Sequence, residues 1–169
     1  LPDWAKRFNA KNIVDSYLDK DWETLYPINT YTLSTADDKS YEGTANGEAK
    51  PVFPHRLKQF KGKNYGAIRT TPHGNTITFD FAKAAIEGYD LGGGSFTDFL
   101  AISFSSPDAI GHTYGPNAIE QEDDYLRLDK DLAAFLAYLD NRFGKNNYLF
   151  FITADHAGSG SPGYYLKNK

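Results

Sequence analysis

Two short apolar stretches, separated by a long amphipathic segment, constrain the fold of this chain more than any other feature of its sequence. Residues 99–104 and 148–153 are apolar on both faces, which is typical of strands buried in a parallel sheet. The segment between them repeats apolar residues with the period of a helix. Strand, helix and strand in this order form the βαβ unit of a parallel sheet. We therefore predict an α/β fold, a partial three-layer sandwich with a mainly parallel sheet and a loop-rich N-terminal portion.

The segment between the two stretches carries the features of a long helix. Asn117 and Glu120 have the spacing of a capping box at its start, and Gly144 suits the position just after its end. Asp123 and Arg127 form an i, i+4 pair that we expect on the solvent side. The apolar stripe that we expect to face the sheet consists of Tyr125, Leu128, Leu132, Phe135, Leu136, Leu139 and Phe143.

The chain is expected to form one domain with two portions. Residues 1–75 are a helical and loop-rich, insert-like portion, and residues 76–169 contain the βαβ portion of the core. Residues 1–20 have helical spacing, whereas residues 21–75 are rich in turn formers and tyrosine and predict ordered loops with short helices.

A further helix is predicted over residues 76–87. Either Asn75 or Thr76 is placed to cap its start, and Gly88 is placed to end it. Its predicted apolar face consists of Ile77, Phe81, Ala84 and Ala85.

Composition excludes several classes of function. A net charge of −4 and a pI of about 5.5 argue against binding a nucleic-acid polymer. The sequence has no cysteine, so disulfides and thiolate metal sites are excluded. No apolar run reaches the roughly 20 residues that a membrane span needs. The sequence has no methionine and begins at Leu1, so we expect that it was processed or cut from a longer chain.

Acidic and imidazole side chains follow each of the two predicted strands. Asp108 and His112 come just after the first, and Asp155 and His156 come just after the second. Ligands of parallel sheets gather beyond the carboxyl ends of the strands, so we expect the four side chains to meet at one edge. Carboxylates and imidazoles without thiolates suit Zn²⁺, and less well Mn²⁺ or Fe²⁺. The competing interpretation is that each pair consists of ordinary turn or loop residues.

The number of candidate ligands limits what such a site could do. Two divalent ions can together clamp a phosphate ester, but four ligands shared between two ions give only two each. A catalytic zinc usually has three protein ligands, so the predicted site is incomplete in this chain. The other two histidines, His55 and His73, have no evident partner in the sequence and are expected to have structural roles in loops.

Several motifs resemble a known family of enzymes. They are "SPDAIGHTYGP", "YLRLDKDLAAFLAYLD" and "FFITADH", together with "NTYTLSTADDKSYEG" and "TPHGNTITFDFAKAAIEG". These motifs resemble the alkaline phosphatase superfamily, and more narrowly the nucleotide pyrophosphatase/phosphodiesterase branch with its bacterial alkaline phosphatases of the PafA type. The resemblance implies an α/β sandwich, two zinc ions and a Thr or Ser nucleophile that takes up the phosphoryl group.

By motif, the resemblance implies that Asp108 and His112 ligate one zinc and that Asp155 and His156 ligate the other. The nucleophile, an upstream Asp, the phosphate-holding residues and a downstream His of the family have no match here, so no catalytic residue is assigned. The chain therefore resembles the middle segment of such an enzyme. One local departure is Ala157, which stands where the family usually has glycine.

The function expected from this resemblance is that of a fragment of a zinc-dependent hydrolase of phosphate esters, inactive alone because its nucleophile is missing. Alternatives within the family are a phosphodiesterase or nucleotide pyrophosphatase and a sulfatase-like hydrolase. A non-catalytic module that binds carbohydrate or protein through the tyrosine-rich loops is the alternative of another class. The resemblance also implies a periplasmic or secreted protein. We further expect an exposed apolar edge through which the fragment dimerises.

Overall fold

The structure, a computed structural model, describes residues 1–45 and 47–167 of the chain, and its regular elements are all helices. The α-helices are α1 (Asp3–Asn9), α2 (Ile13–Leu18), α3 (His73–Gly88), α4 (Ser106–Tyr114), α5 (Ile119–Phe143) and α6 (Pro162–Lys167). Three short 3₁₀ helices span Ile28–Thr30, Lys58–Phe60 and Tyr65–Thr70. None of the helices formed by the described residues is long and apolar enough to cross a membrane.

The predicted α/β sandwich with a mainly parallel sheet is wrong for this chain. Residues 1–45 and 47–167 contain no strand, and their only β pairing is an isolated antiparallel bridge between Trp22 and His55. The stretches 99–104 and 148–153 pair with no strand, and Phe99 and Leu149 are 77% and 89% exposed. An apolar stretch becomes a strand only where another strand satisfies its backbone N–H and C=O groups. Its own sequence does not show whether such a partner is present.

Both predicted long helices exist. Helix α5 ends before Gly144 as expected, but its start is different, because Ala118 occupies the N-cap position and no side chain caps the helix. The predicted capping box of Asn117 and Glu120 is therefore wrong. Helix α3 ends at Gly88 as predicted and begins at His73, a few residues earlier than expected.

Helices α3 and α5 pack together around one apolar cluster. Phe79 of α3 contacts Phe135 of α5 with the two rings tilted and their centroids 5.1 Å apart. The buried members of the cluster are Phe79, Ala82, Ile86, Phe135 and Leu139. Ile102, Phe104 and Tyr148 lie against it, so the two extended apolar stretches run along the same cluster. Tyr125 departs from the predicted stripe, because it is 56% exposed.

A second apolar cluster joins the N-terminal portion to helix α4. It consists of Leu18, Trp22, Leu57, Phe60, Ile110, Tyr114 and Ala118. The helical region predicted over residues 1–20 is divided into α1 and α2, because Asn12 between them has φ 48° and adopts a left-handed conformation. The second cluster covers the inner face of α4, whose outer face carries Asp108 and His112.

Candidate functional site

Asp108 and His112 lie on helix α4 and do not follow a strand as predicted. They are four residues apart on α4, so they occupy the same face, and His112 Nε2 is 3.2 Å from Asp108 Oδ1. The opposite face of α4 places Ile110 and Tyr114 in the core, where they are at most 2% exposed. Burial of that face fixes how α4 is rotated, and the Asp108–His112 couple is thereby held at the surface.

The second predicted couple lies beside the first. His156 Nε2 is 3.8 Å from Asp108 Oδ1 and 3.8 Å from Asp155 Oδ2. The structure therefore brings together all four residues that the sequence singled out. They meet at α4 and the extended segment after residue 148 rather than at the edge of a sheet.

Close backbone packing holds the segment after His156 near the end of α4. A Cβ atom built at Gly158 would lie 3.2 Å from Pro116 Cβ, in the turn between α4 and α5. The segment around Gly43 also lies close to α4, since a Cβ atom built at Gly43 would overlap the carbonyl oxygen of Thr113 in the last turn of this helix. The absence of side chains at these glycines lets both segments approach the helix that carries the site.

The donor set of the site has the chemistry that zinc prefers. Two carboxylates and two imidazoles without sulfur form a hard-to-borderline set of ligands. Their arrangement is open, since the Asp155 side chain is 92% exposed and the His112 side chain is 79% exposed. No three His, Cys, Asp or Glu side chains in residues 1–45 and 47–167 are placed to hold one ion together. The types of side chain thus suit zinc, and the assignment of all four residues as metal ligands stays a prediction.

A buried ionic cluster behind α4 escaped the sequence analysis, which found no partner for His55. His55 is 1% exposed, its Nδ1 is 2.9 Å from Glu48 Oε2, and its Nε2 is 3.2 Å from Glu120 Oε1. Burial lowers the pKa of His55, but the hydrogen bonds to Glu120 and Glu48 outweigh burial and raise that pKa to about 9. Glu120 is 65 residues away in the sequence, so no local pattern reveals the contact.

The ionic cluster is connected to α4 through a tyrosine. The Tyr114 hydroxyl lies 3.3 Å from His55 Nδ1, and the two rings are 4.9 Å apart. Tyr114 belongs to the same helix as His112 but faces the core. The fourth histidine, His73, stacks on Tyr17 with ring centroids 5.0 Å apart, and burial lowers its pKa to about 4.

A second buried acid ties the N-terminal portion to α5. Asp123 and Arg127 form the predicted pair, with Arg127 Nε 2.6 Å from Asp123 Oδ2. The pair is not on the solvent side, because Asp123 is fully buried. Its carboxylate also accepts hydrogen bonds of 2.7 Å from Trp22 Nε1 and from the Leu25 backbone N–H, and one from the Tyr31 hydroxyl. Asp123 is thus an acceptor for groups that lie almost 100 residues earlier.

Comparisons with known proteins identify the family of this chain. Residues 2–165 match the family model described as type I phosphodiesterase/nucleotide pyrophosphatase. Alkaline phosphatase PhoV of Synechococcus elongatus is 54% identical over 169 residues, which are 100% of this chain and 30% of that protein. A protein of Myroides odoratus named as a calcium-transporting ATPase is 53% identical, over 100% of this chain and 31% of its own length.

One solved structure has nearly the same backbone. The crystal structure of wild-type alkaline phosphatase PafA superposes with a TM-score of 0.95 at 45% identity, covering 99% of this chain and 32% of that one. The chain therefore spans about a third or less of the length of these relatives.

Proposed function

Because the chain belongs to the type I phosphodiesterase/nucleotide pyrophosphatase family, we propose that it is a segment of a zinc-dependent phosphate-ester hydrolase of the alkaline phosphatase kind. The observation that carries this proposal is the convergence of two acid–imidazole couples, Asp108 with His112 and Asp155 with His156, whose nearest atoms lie within 3.8 Å of one another. Two of the three relatives described above are named as alkaline phosphatases. The donor chemistry and the family thus favour the same reaction class.

The proposed roles of the four side chains follow from their positions. Asp108 and His112 would hold one zinc ion from the face of α4, and Asp155 and His156 would hold the other from the extended segment. Zinc, when bound, supplies a Lewis acid that polarises a phosphoryl oxygen and compensates negative charge on the ester. Helix α4 orients the Asp108 carboxylate towards both imidazoles, which keeps the two couples in one place. The exposure of His112 and Asp155 leaves their outer side open to a substrate.

We propose that these 169 residues alone do not turn over substrate. The chain spans 30% of the alkaline phosphatase from Synechococcus elongatus, and the motifs that it shares with the family assign no nucleophile within it. The assay is hydrolysis of p-nitrophenyl phosphate with added Zn²⁺. Rapid turnover by this chain would contradict the proposal, whereas turnover only by a longer polypeptide containing it would support it. Comparing p-nitrophenyl phosphate with bis-p-nitrophenyl phosphate in that polypeptide would separate a monoesterase from the phosphodiesterase that the family description favours.

Zinc binding can be tested on the chain itself. Titration calorimetry should show weak zinc binding by the unchanged chain. The double variant Asp108→Ala/Asp155→Ala should bind zinc with at least about tenfold lower affinity, because each ion loses half of its ligands. The matched control is Glu23→Ala/Asp129→Ala, which removes two exposed carboxylates that belong to neither couple and alters the net charge equally. Equal zinc affinity in the two double variants would contradict the metal assignment, and loss in the site variant alone would support it.

We also propose a periplasmic or secreted location for the protein. The support is the resemblance to bacterial alkaline phosphatases, and the test is fractionation of cells that express the native gene. Activity or immunoreactive protein found only with cytoplasmic markers would contradict this location.

A further inference from the structure

A buried amide and a buried acid join helices α3 and α5. Asn75 of α3 is 1% exposed and Asp124 of α5 is fully buried. Asn75 Nδ2 donates a hydrogen bond of 2.9 Å to Asp124 Oδ1. This contact lies beside the apolar cluster that packs the two helices together, and it takes no part in the candidate metal site.

The second oxygen of each side chain is left without a partner. Asn75 Oδ1 and Asp124 Oδ2 are both buried, and neither has a hydrogen-bond donor within residues 1–45 and 47–167. Two buried acceptors without donors would cost free energy, and such groups in folded proteins are uncommon. An ionised Asp124 could satisfy neither atom, because a carboxylate only accepts hydrogen bonds.

A single proton would satisfy both atoms. A protonated carboxyl group carries one O–H donor, and an amide and a carboxylic acid side by side can form two parallel hydrogen bonds. One of these bonds is present already, from Asn75 Nδ2 to Asp124 Oδ1. The other would run from Asp124 Oδ2–H to Asn75 Oδ1, the two atoms that lack partners.

We propose that Asp124 is held as a neutral carboxylic acid paired with the Asn75 amide, and that this pair is a proton-dependent joint between α3 and α5. The joint is independent of the proposed hydrolase function. It gives two neighbouring acids opposite roles, since Asp123 only accepts hydrogen bonds whereas Asp124 both accepts and donates.

The charges around Asp124 favour its neutral form. Burial raises the pKa of Asp124 to about 7, and the negative charges of Asp123 and Asp131 add to this effect. Arg127 opposes it, but its guanidinium is engaged by Asp123. Within the described part of the chain, the charged groups that act on Asp124 lie on α5, while α3 faces it with the uncharged amide of Asn75.

The direction of the pH dependence follows from the two states. Asp124 has its ordinary acidity in the unfolded chain, where the value is 3.8, and about 7 in the folded one. The folded state therefore holds the proton more strongly, and the stabilisation is complete below pH 4 and is lost as pH rises to about 7. Over this window the unfolding equilibrium constant should increase by up to about tenfold for each pH unit.

The test compares Asp124→Asn with the unchanged chain. Asparagine keeps the shape of the neutral acid and its amide can donate to Asn75 Oδ1, so this variant should unfold with a flatter pH dependence in urea titrations between pH 4.5 and 8.5. At pH 8 it should be at least as stable as the unchanged chain. Asp123→Asn is the matched control and should be destabilised at every pH, because four donors lose part of their acceptor.

Two outcomes of this comparison of variants would overturn the proposal. One is an unchanged pH slope in Asp124→Asn, and the other is a loss of stability at pH 8 equal to that of Asp123→Asn. A measurement on the unchanged chain covers the case in which a variant fails to fold. The ¹³C shift of the Asp124 carboxyl carbon should report a protonated acid at pH 5.5, and an ionised carboxylate at that pH would also overturn it.

Discussion

Replacement of His55 by glutamine tests how much the buried ionic cluster behind α4 stabilises the fold. The side chain of His55 lies between Glu48 and Glu120, which are 9% and 0% exposed. The rise in the pKa of His55 from its ordinary 6.5 to about 9 corresponds to about 3 kcal/mol of stabilisation for the charged form. Burial raises the pKa of Glu120 in spite of its bond to His55, so part of this gain is offset by keeping Glu120 ionised in the core.

The pH at which this stabilisation disappears is fixed by the direction of the shift. His55 binds its proton more tightly in the folded chain, so the contribution is fully present below pH 6.5 and is lost as pH rises through about 9. We expect the free energy of unfolding to fall by about 2 to 3 kcal/mol between pH 6.5 and pH 9.5. In His55→Gln this fall should vanish, and the variant should be about 3 kcal/mol less stable at pH 6.5, because two buried carboxylates lose their counter-charge.

The assay is urea denaturation at several pH values, followed by tryptophan fluorescence. Trp22 reports on the cluster directly, because its ring centroid lies 4.9 Å from that of His55. The matched control is His73→Gln. Within the part of the chain that the structure describes, His73 stacks on Tyr17 and forms no hydrogen bond with a carboxylate, so this variant should leave the slope above pH 6.5 unchanged. The reasoning is refuted if His55→Gln keeps the slope of the unchanged chain, or if that chain has no slope in this range.

Two further predictions concern packing and association. Phe135→Ala should lower the free energy of unfolding by about 3 to 5 kcal/mol in urea titrations. The Phe135 side chain is 2% exposed between α3 and α5, so its truncation leaves a cavity in the core. A loss below about 1 kcal/mol would contradict this packing. The exposed apolar stretches should make the chain dimerise at high concentration. The double variant Phe99→Lys/Leu149→Lys should be monomeric by light scattering. The control Leu33→Lys alters an equally exposed leucine elsewhere and should still dimerise. A monomeric unchanged chain would contradict the expected dimer.

Local periodicity predicted the long helices well. The stripe that includes Phe135 and Leu139 repeats within α5 itself, so the sequence contains what is needed to recognise it. The prediction of strands at residues 99–104 and 148–153 was wrong, because a strand depends on a partner elsewhere in the chain. The predicted start of α5 was also wrong, since Asn117 and Glu120 have the spacing of a capping box without forming its hydrogen bonds.

The sequence singled out the four side chains of the candidate site, but it placed them at a sheet edge that the described residues do not form. The spacing of Asp108 with His112, and the adjacent Asp155 and His156, were evident in the sequence, and their role as metal ligands stays a prediction. The contacts behind the site join residues far apart, such as His55 with Glu120. Pairings across 65 residues leave no periodic trace in one sequence, so the network that supports α4 became visible only in three dimensions.

The contact between Gly43 and the last turn of α4 has a consequence for random mutagenesis of this protein. Any residue with a side chain at position 43 would press on the carbonyl oxygen of Thr113, directly after His112. A screen that selects for the proposed zinc binding should therefore reject replacements at Gly43 almost as strictly as replacements of His112 itself. Position 43 carries no group able to bind metal, so a search restricted to chemically active side chains would overlook it.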